Sequence, residues 1–325
     1  MQPTDFNHLW HGADILFMGN CIPVSSTQKK RIGMSAVADL AAQRRRRRIV
    51  NRLEALPPLP AAAQEVLSIV SGDPRDTSKL EQTIRHDPAL AAQILKLANS
   101  VAYSPRTPID TVHRAIVYLG FSEVRDIALG LSIFSLFKKK STGGKFQREN
   151  FWTHAISTAI IARILAVELD EEDAEIFFTA GLLHDLGRIA LCICFEPEWN
   201  KILDIADQKV CSLLHAEREA GLPHSLIGAW LARSWGLPEV YVDSIATHHL
   251  PVSHPKASRT GIIVQLADHI SHCSGMGLYP APDLKRSVLT NYLGLSGDMV
   301  KFLLEQLAEM EEVAETMDEM LGCFD

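Results

Sequence analysis

Residues 180–191 read AGLLHDLGRIAL, an apolar run of helical character that carries an imidazole and a carboxylate side by side at His184 and Asp185. That pair constrains the fold more than any other feature. A buried carboxylate without partners is neutralised or destabilising, and a buried imidazole needs hydrogen bonds. The pattern recurs along the second half. His154 lies in FWTHAISTAIIARIL, His224 in GLPHSLIGAWL, His248 and His249 in IATHHLP, and Asp268 in VQLADHIS. Taken singly, each histidine is more often an ordinary core or surface residue than a ligand, but several ionisable groups in one apolar interior call for a mutual explanation. A metal supplies one. Imidazole together with carboxylate suits Mn2+, Fe2+, Zn2+ or Ni2+, and the lack of cysteine near these residues argues against a sulfur-rich structural zinc site.

Apolar residues recur at helical spacing along most of the chain, and alternating, strand-like stretches are scarce, so an all-α fold is expected. LPPLP, Leu56 to Pro60, cannot continue a helix and marks a boundary. Helices are expected in AAAQEVLSIV, DTSKLEQTI, DPALAAQILKLANS, DTVHRAIVYLG and SEVRDIALGLSIFSLF, with the basic, Gly-containing KKKSTGGK as a connection to a second helical half. The expected organisation is a leader and basic linker helix over 1–53, a helical half over 54–140, a metal-binding half over 146–275, and a helical extension over 276–325. In that extension Leu303, Leu307, Met310, Ala314, Met317 and Leu321 fall at steps of four and three. This apolar seam either packs back on the core or makes a homodimer contact.

Composition narrows the class. The 325 residues are 47% hydrophobic and carry a formal net charge of −7, which suits a globular chain and argues against a general nucleic-acid surface. The exception is Arg44–Arg48, five consecutive basic residues that cover every face of a helix. They read as a solvated linker or as an electrostatic contact with phosphate or anionic lipid. Cys21, Cys192, Cys194, Cys211, Cys273 and Cys323 form no C-x-x-C pair and read as reduced thiols of a cytoplasmic protein. ILFMGNCIPV near the start is too short and wrongly flanked for a signal peptide, and no stretch approaches about 18 uninterrupted apolar residues, so no membrane span is expected.

The order His154, then His184-Asp185, then Asp268 resembles the H…HD…D signature of the HD superfamily of metal-dependent phosphohydrolases. LPPLP, RHDPALAAQILKLANS, AIVYLG, EAGLPHSLIGAWLARSWGLP and the HH pair are similar to the HDOD family, a regulatory branch of that superfamily. The resemblance covers roughly residues 54–275 and implies a wholly helical signalling module with protein partners. It implies first-metal ligands at His154, His184, Asp185 and Asp268, with Asp185 bridging to a second ion. His224, His248 and His249 fall where the HD-GYP phosphodiesterases have second-site histidines. Many HDOD members have lost such ligands, whereas this chain retains them. LPVSHP follows His249 in place of the Gly-Tyr-Pro loop of HD-GYP proteins, and Asn150 stands where some of them carry a glutamate ligand.

The resemblance implies hydrolysis by one or two divalent ions, with Asp185 catalytic and Arg188, three positions on, either neutralising a substrate phosphate or forming a structural ion pair. Glu217 and Glu219 are read as capping or solvent-facing, with ligand orientation as the alternative. His86, His113, His215, His254, His269 and His272 receive no role. Three functions stay open. They are a regulatory module that binds partners without turnover, a phosphohydrolase acting on a nucleotide or cyclic nucleotide, and a metal or redox sensor.

Overall fold

A computed structural model of the chain describes residues 47–54, 56, 58–70, 76–99, 103–135, 148–277, 286–296 and 298–299. The leader, Arg44–Arg46, KKKSTGGK and the seam from Leu303 to Leu321 lie outside them. Contacts between Cα atoms divide the chain into two units, residues 1–58 and 59–325. In the first, residues 47–53 are helical and Arg47 and Arg48 are exposed.

The second unit is all-α, as expected, with fourteen α-helices and no strand among the described residues. They are α1 (Ala61–Val70), α2 (Thr77–His86), α3 (Pro88–Ala98), α4 (Val112–Leu119), α5 (Phe121–Ser135), α6 (Arg148–Glu168), α7 (Ala174–Leu183) and α8 (Leu186–Cys194). Then come α9 (Glu196–Lys209), α10 (Leu213–Ala220), α11 (His224–Ser234), α12 (Glu239–Thr247), α13 (Arg259–Ser271), a π turn (His272–Met276) and α14 (Arg286–Leu293). Local chemistry starts several of them. The Asp76 carboxylate accepts from Lys79 N at 2.9 Å to open α2. Asp87 accepts from Ala89 N and Leu90 N, with Pro88 at the first helical position of α3. At the far end of α3, Asn99 donates to Leu95 O and Ile109 O and accepts from Ile109 N, each at 2.7 Å, and so staples the following loop to the helix.

Helices α1–α5 pack among themselves, and α5 also rests on α7. Around α7 stand α6, α12 and α13, while α8 packs on α11 and α11 on α12. Two glycines permit the tightest crossings. A Cβ on Gly181 of α7 would lie 2.7 Å from Ala159 Cα of α6. One on Gly187 of α8 would lie 1.9 Å from the His224 carbonyl oxygen at the start of α11, and Gly228 of α11 faces Gly187 in turn. Backbone therefore meets backbone at these two points. His154 and His184 are drawn together by the first crossing, Asp185 and His224 by the second.

Two stretches, Phe151–Glu168 and Ala174–Cys194, are long and apolar enough to cross a membrane by length and composition alone, though neither is an uninterrupted apolar run. They are α6 and α7–α8, with 72% and 83% of these windows buried within the protein. Within α6, Ser157 donates to His154 O and pairs with Ser271 of α13. Trp152 is buried core, as its helical position implied, and Trp230 and Trp235 are half-buried. Cys192, Cys194, Cys211 and Cys273 are free thiols.

A second buried charge pair lies in α5. Arg125 donates through Nε and Nη2 to the two Asp126 oxygens, at 2.7 and 3.0 Å. Burial pushes the Asp126 carboxyl up to about 7, with Arg125 pulling the other way. Asp126→Ala leaves Arg125 without its bidentate partner and is expected to cost about 3–5 kcal/mol. Gly187→Ala is expected to cost about 1–3 kcal/mol by forcing α8 from α11. Urea unfolding of the two variants beside the parent measures both.

Candidate metal centre

The adjacent His184 and Asp185 reach one place because the helix breaks between them. Two residues one step apart on a continuous α-helix diverge by roughly 100°. Here α7 ends at Leu183, and Asp185 leaves helical geometry at φ −97°, ψ 14° before α8 begins. His154 comes from the middle of α6, His224 from the first residue of α11, His248 and His249 from the end of α12, and Asp268 from α13. His154, His184, Asp185, His224, His248 and Asp268 are buried, and His249 is half-buried.

Hydrogen bonds fix the protonation pattern of the imidazoles. His184 Nδ1 lies 2.6 Å from Gly181 O, and His248 Nδ1 lies 2.8 Å from Ile245 O. A carbonyl only accepts, so each Nδ1 carries a proton and the ring is turned with Nε2 inward. His224 Nδ1 donates to Glu217 Oε2 in the same way. His154 follows by a short relay. Ser157 Oγ donates to His154 O at 3.0 Å, Ser271 Oγ therefore donates to Ser157 at 2.5 Å, and Ser271 is left to accept from His154 Nδ1 at 3.1 Å. Four Nε2 atoms point inward.

They converge on two carboxylates. His154 Nε2 lies 3.2 Å from Asp268 Oδ1 and 3.8 Å from Asp185 Oδ2. His184 Nε2 lies 3.5 Å from Asp185 Oδ2 and 3.8 Å from Asp268 Oδ1. The other oxygen of Asp185, Oδ1, lies 3.2 Å from His224 Nε2, which in turn is 3.2 Å from His248 Nε2. His249 stacks beside this second group, its ring centroid 4.1 Å from that of His248 and 5.0 Å from that of His224. Asp185 thus faces one histidine group with each oxygen. His154 Nε2, His184 Nε2, Asp185 Oδ1, Asp268 Oδ1 and His249 Nε2 form no hydrogen bond despite this crowding. Donors about 2.1 Å from a common ion sit roughly 3–4 Å apart. The groups present therefore fit a divalent cation.

The charges are arranged to suit it. Burial pushes His154 down to about 4 and His248 down to about 3, so both are neutral near pH 7. Burial also holds His249 well below its ordinary value, with His248 beside it adding to the effect. For Asp185, burial opposes ionisation, but Arg188 and the surrounding histidines outweigh it and keep the carboxyl well below its usual range. Asp268 is held down in the same way against burial, by His272 and His154.

Arg188 and Glu217 brace the centre. Arg188, buried at 3% exposure, donates through Nη1 to Asp185 Oδ2 and through Nε to Glu217 Oε1 at 2.9 Å. Glu217 also accepts from His224 N at 3.2 Å. Pro223 offers no capping side chain at the start of α11, so Glu217 caps that helix and orients its first residue together. The sequence reading favoured a capping or solvent role for Glu217 and missed its burial. Glu219 is exposed and pairs with Lys209. His113 pairs with Glu81 far from the centre, His86 and His215 are exposed, and His254 is half-buried. His272, given no role from sequence, is drawn in, with Nε2 3.3 Å from Asp268 Oδ1 and its ring centroid 4.7 Å from that of His154. Its spacing of four residues from Asp268 was the available signal.

Comparison with known proteins gives the family and the fold. The HDOD domain family matches residues 56–251. An HDOD domain protein of unknown function from Geobacter sulfurreducens is 25% identical, with a TM-score of 0.70 over 82% of this chain and 93% of that one. A proposed phosphohydrolase from Shewanella amazonensis SB2B is 26% identical, with a TM-score of 0.67 over 84% of this chain and 97% of that one. Among curated sequences, Ribonuclease Y of Borreliella burgdorferi is 28% identical over 176 residues, 54% of this chain and 26% of that protein. An uncharacterised Treponema pallidum protein is 24% identical over 203 residues, 62% of this chain and 39% of that protein. The chain thus spans well under half of these curated relatives.

The depressed histidines set a pH dependence for metal-stripped protein. A folded value below the unfolded 6.5 means that stability is full above pH 6.5 and is lost as pH falls toward 4. Denaturation midpoints measured across that window should fall for the parent and fall less steeply for His248→Gln.

Proposed function

This chain belongs to the HDOD family, and on that premise we propose that it is a regulatory HD-superfamily protein that keeps a two-ion centre able to hydrolyse phosphoesters. One observation carries the reading. His224 Nε2 and His248 Nε2 face each other at 3.2 Å, each ring held through its Nδ1 by Glu217 or by Ile245 O. Two ring nitrogens held that close in a buried site beside a carboxylate suit a shared cation.

In this reading His154, His184, Asp185 and Asp268 hold one ion, and Asp185, His224, His248 and His249 hold the other. Two divalent ions, when bound, polarise a phosphoryl oxygen and lower the pKa of water so that a nucleophile is available near neutral pH. The protein's own groups do the rest. Asp185 sets the spacing of the pair by facing each histidine group with a different oxygen. Arg188, two of whose donors are taken by Asp185 and Glu217, fixes that carboxylate in orientation. Glu217 holds the His224 ring, and the Ser157–Ser271 relay holds the His154 ring. His249 packs its ring beside those of His224 and His248.

Phosphoester hydrolysis is supported by the donor set and by the likeness to the Shewanella protein. The match to Ribonuclease Y adds RNA to the substrates worth testing beside nucleotides and cyclic dinucleotides. A metal-gated sensor uses the same ligands without turnover, and partner proteins would then read occupancy through helix packing.

Protein reconstituted with Fe2+ or Mn2+ under anaerobic conditions should bind about two ions per chain. It should cleave bis(p-nitrophenyl) phosphate and at least one substrate of a panel of nucleotides, cyclic dinucleotides and single-stranded RNA. Asp185→Asn should abolish both properties, and Glu217→Gln should weaken metal binding by about 10–100-fold. Metal without turnover in the parent would leave a sensor, and absence of metal would overturn the centre itself.

A further inference from the structure

We propose that His272 is an additional ligand of the first ion, giving that site three imidazoles where the family pattern supplies two. The assignment rests on the metal-centre reading above and concerns a residue outside the H…HD…D signature.

Three observations carry it. First, His272 Nε2 is 3.3 Å from Asp268 Oδ1, and His154 Nε2 approaches the same oxygen at 3.2 Å. Donor atoms of His154, Asp268 and His272 all lie within 4.8 Å of one another, the spread of donors around one ion. Second, the His272 side chain is only 5% exposed and its ring lies against His154, 4.7 Å between centroids, with Nε2 turned to the carboxylate that His154 also approaches. Third, the backbone is shaped around the ring. At His272 the regular helix of α13 gives way to a π turn through Met276, interrupted at Gly275 by φ +85°. The chain then returns so closely that a Cβ on Gly277 would lie 1.8 Å from His272 Nδ1. Gly277 is thus a positioning residue, since only its missing side chain leaves room for the ring in this orientation. Single π turns inserted in α-helices recur at functional sites.

The chemical consequence is selectivity. A site with His154, His184 and His272 beside two carboxylates is richer in nitrogen than the family pattern. Imidazole favours iron, cobalt, nickel and zinc over the magnesium, calcium and manganese that oxygen donors suit. His272 thereby tilts the first site toward those nitrogen-preferring ions.

Cobalt is the probe, because its visible d–d absorption reports coordination directly and needs no turnover. Metal-stripped full-length parent, His272→Ala and His272→Gln are titrated with Co2+ and followed by absorption and calorimetry, with circular dichroism to verify that each variant is folded. The expected result is that both variants lose at least about tenfold in affinity at one of two sites. The d–d bands should shift, and the preference for Co2+ over Mn2+ should narrow. Gly277→Ala should reproduce the spectral shift with His272 intact. Weaker binding with unchanged bands would make His272 a support of Asp268 and overturn the assignment, as would unchanged affinity. If the parent binds no Co2+, the metal-centre reading fails and this assignment with it. If the parent binds and the His272 variants match it, only this assignment fails.

Discussion

The Asp185 carboxylate, ionised in the middle of the helical core, is the constraint around which the second half is arranged. Removing a carboxylate from water is costly unless cations and hydrogen bonds surround it. The protein meets that requirement with Arg188 from one turn further along and with histidines contributed by three other positions. Each of those partners is fixed in turn by Gly181 O, Glu217 or the Ser157–Ser271 relay. Few of these groups could change alone without leaving a neighbour unsatisfied.

That interdependence explains the helix geometry around it. α7 and α8 are separated at His184 and Asp185 because a continuous helix would aim the two side chains apart. α8 and α11 cross with glycine against glycine because Asp185 and His224 must meet through short side chains. Glu217 then serves two needs with one carboxylate, capping α11 and orienting its first residue. The packing of the core and the chemistry of the centre are consequently hard to separate.

The relation to regulation follows from the same architecture. α5 rests on α7, whose last turn leads directly into His184. Through α5 the first five helices thus meet an element that carries part of the candidate site, which gives a shift of α7 a physical route into them.

All-helical character was legible in the amino-acid order, because apolar spacing and capping residues such as Asp76 and Asp87 are local properties. The principal donors were legible as well, since His and Asp within apolar runs are conspicuous and their order resembles a known signature. Three things depended on tertiary packing. The inward direction of Nε2 in His154 and His224 follows from the Ser157–Ser271 relay and Glu217, which other helices bring up, whereas His184 and His248 are turned by local acceptors, Gly181 O and Ile245 O. The burial of Glu217 arises where α10 meets the start of α11, while its near neighbour Glu219 stays exposed, and nothing in their composition separates the two. The approach of His272 to Asp268 requires a π turn and a glycine returning under the ring. Local sequence determines which groups a helix carries and roughly which face they occupy; only the crossing of helices brings them together in a space that excludes water.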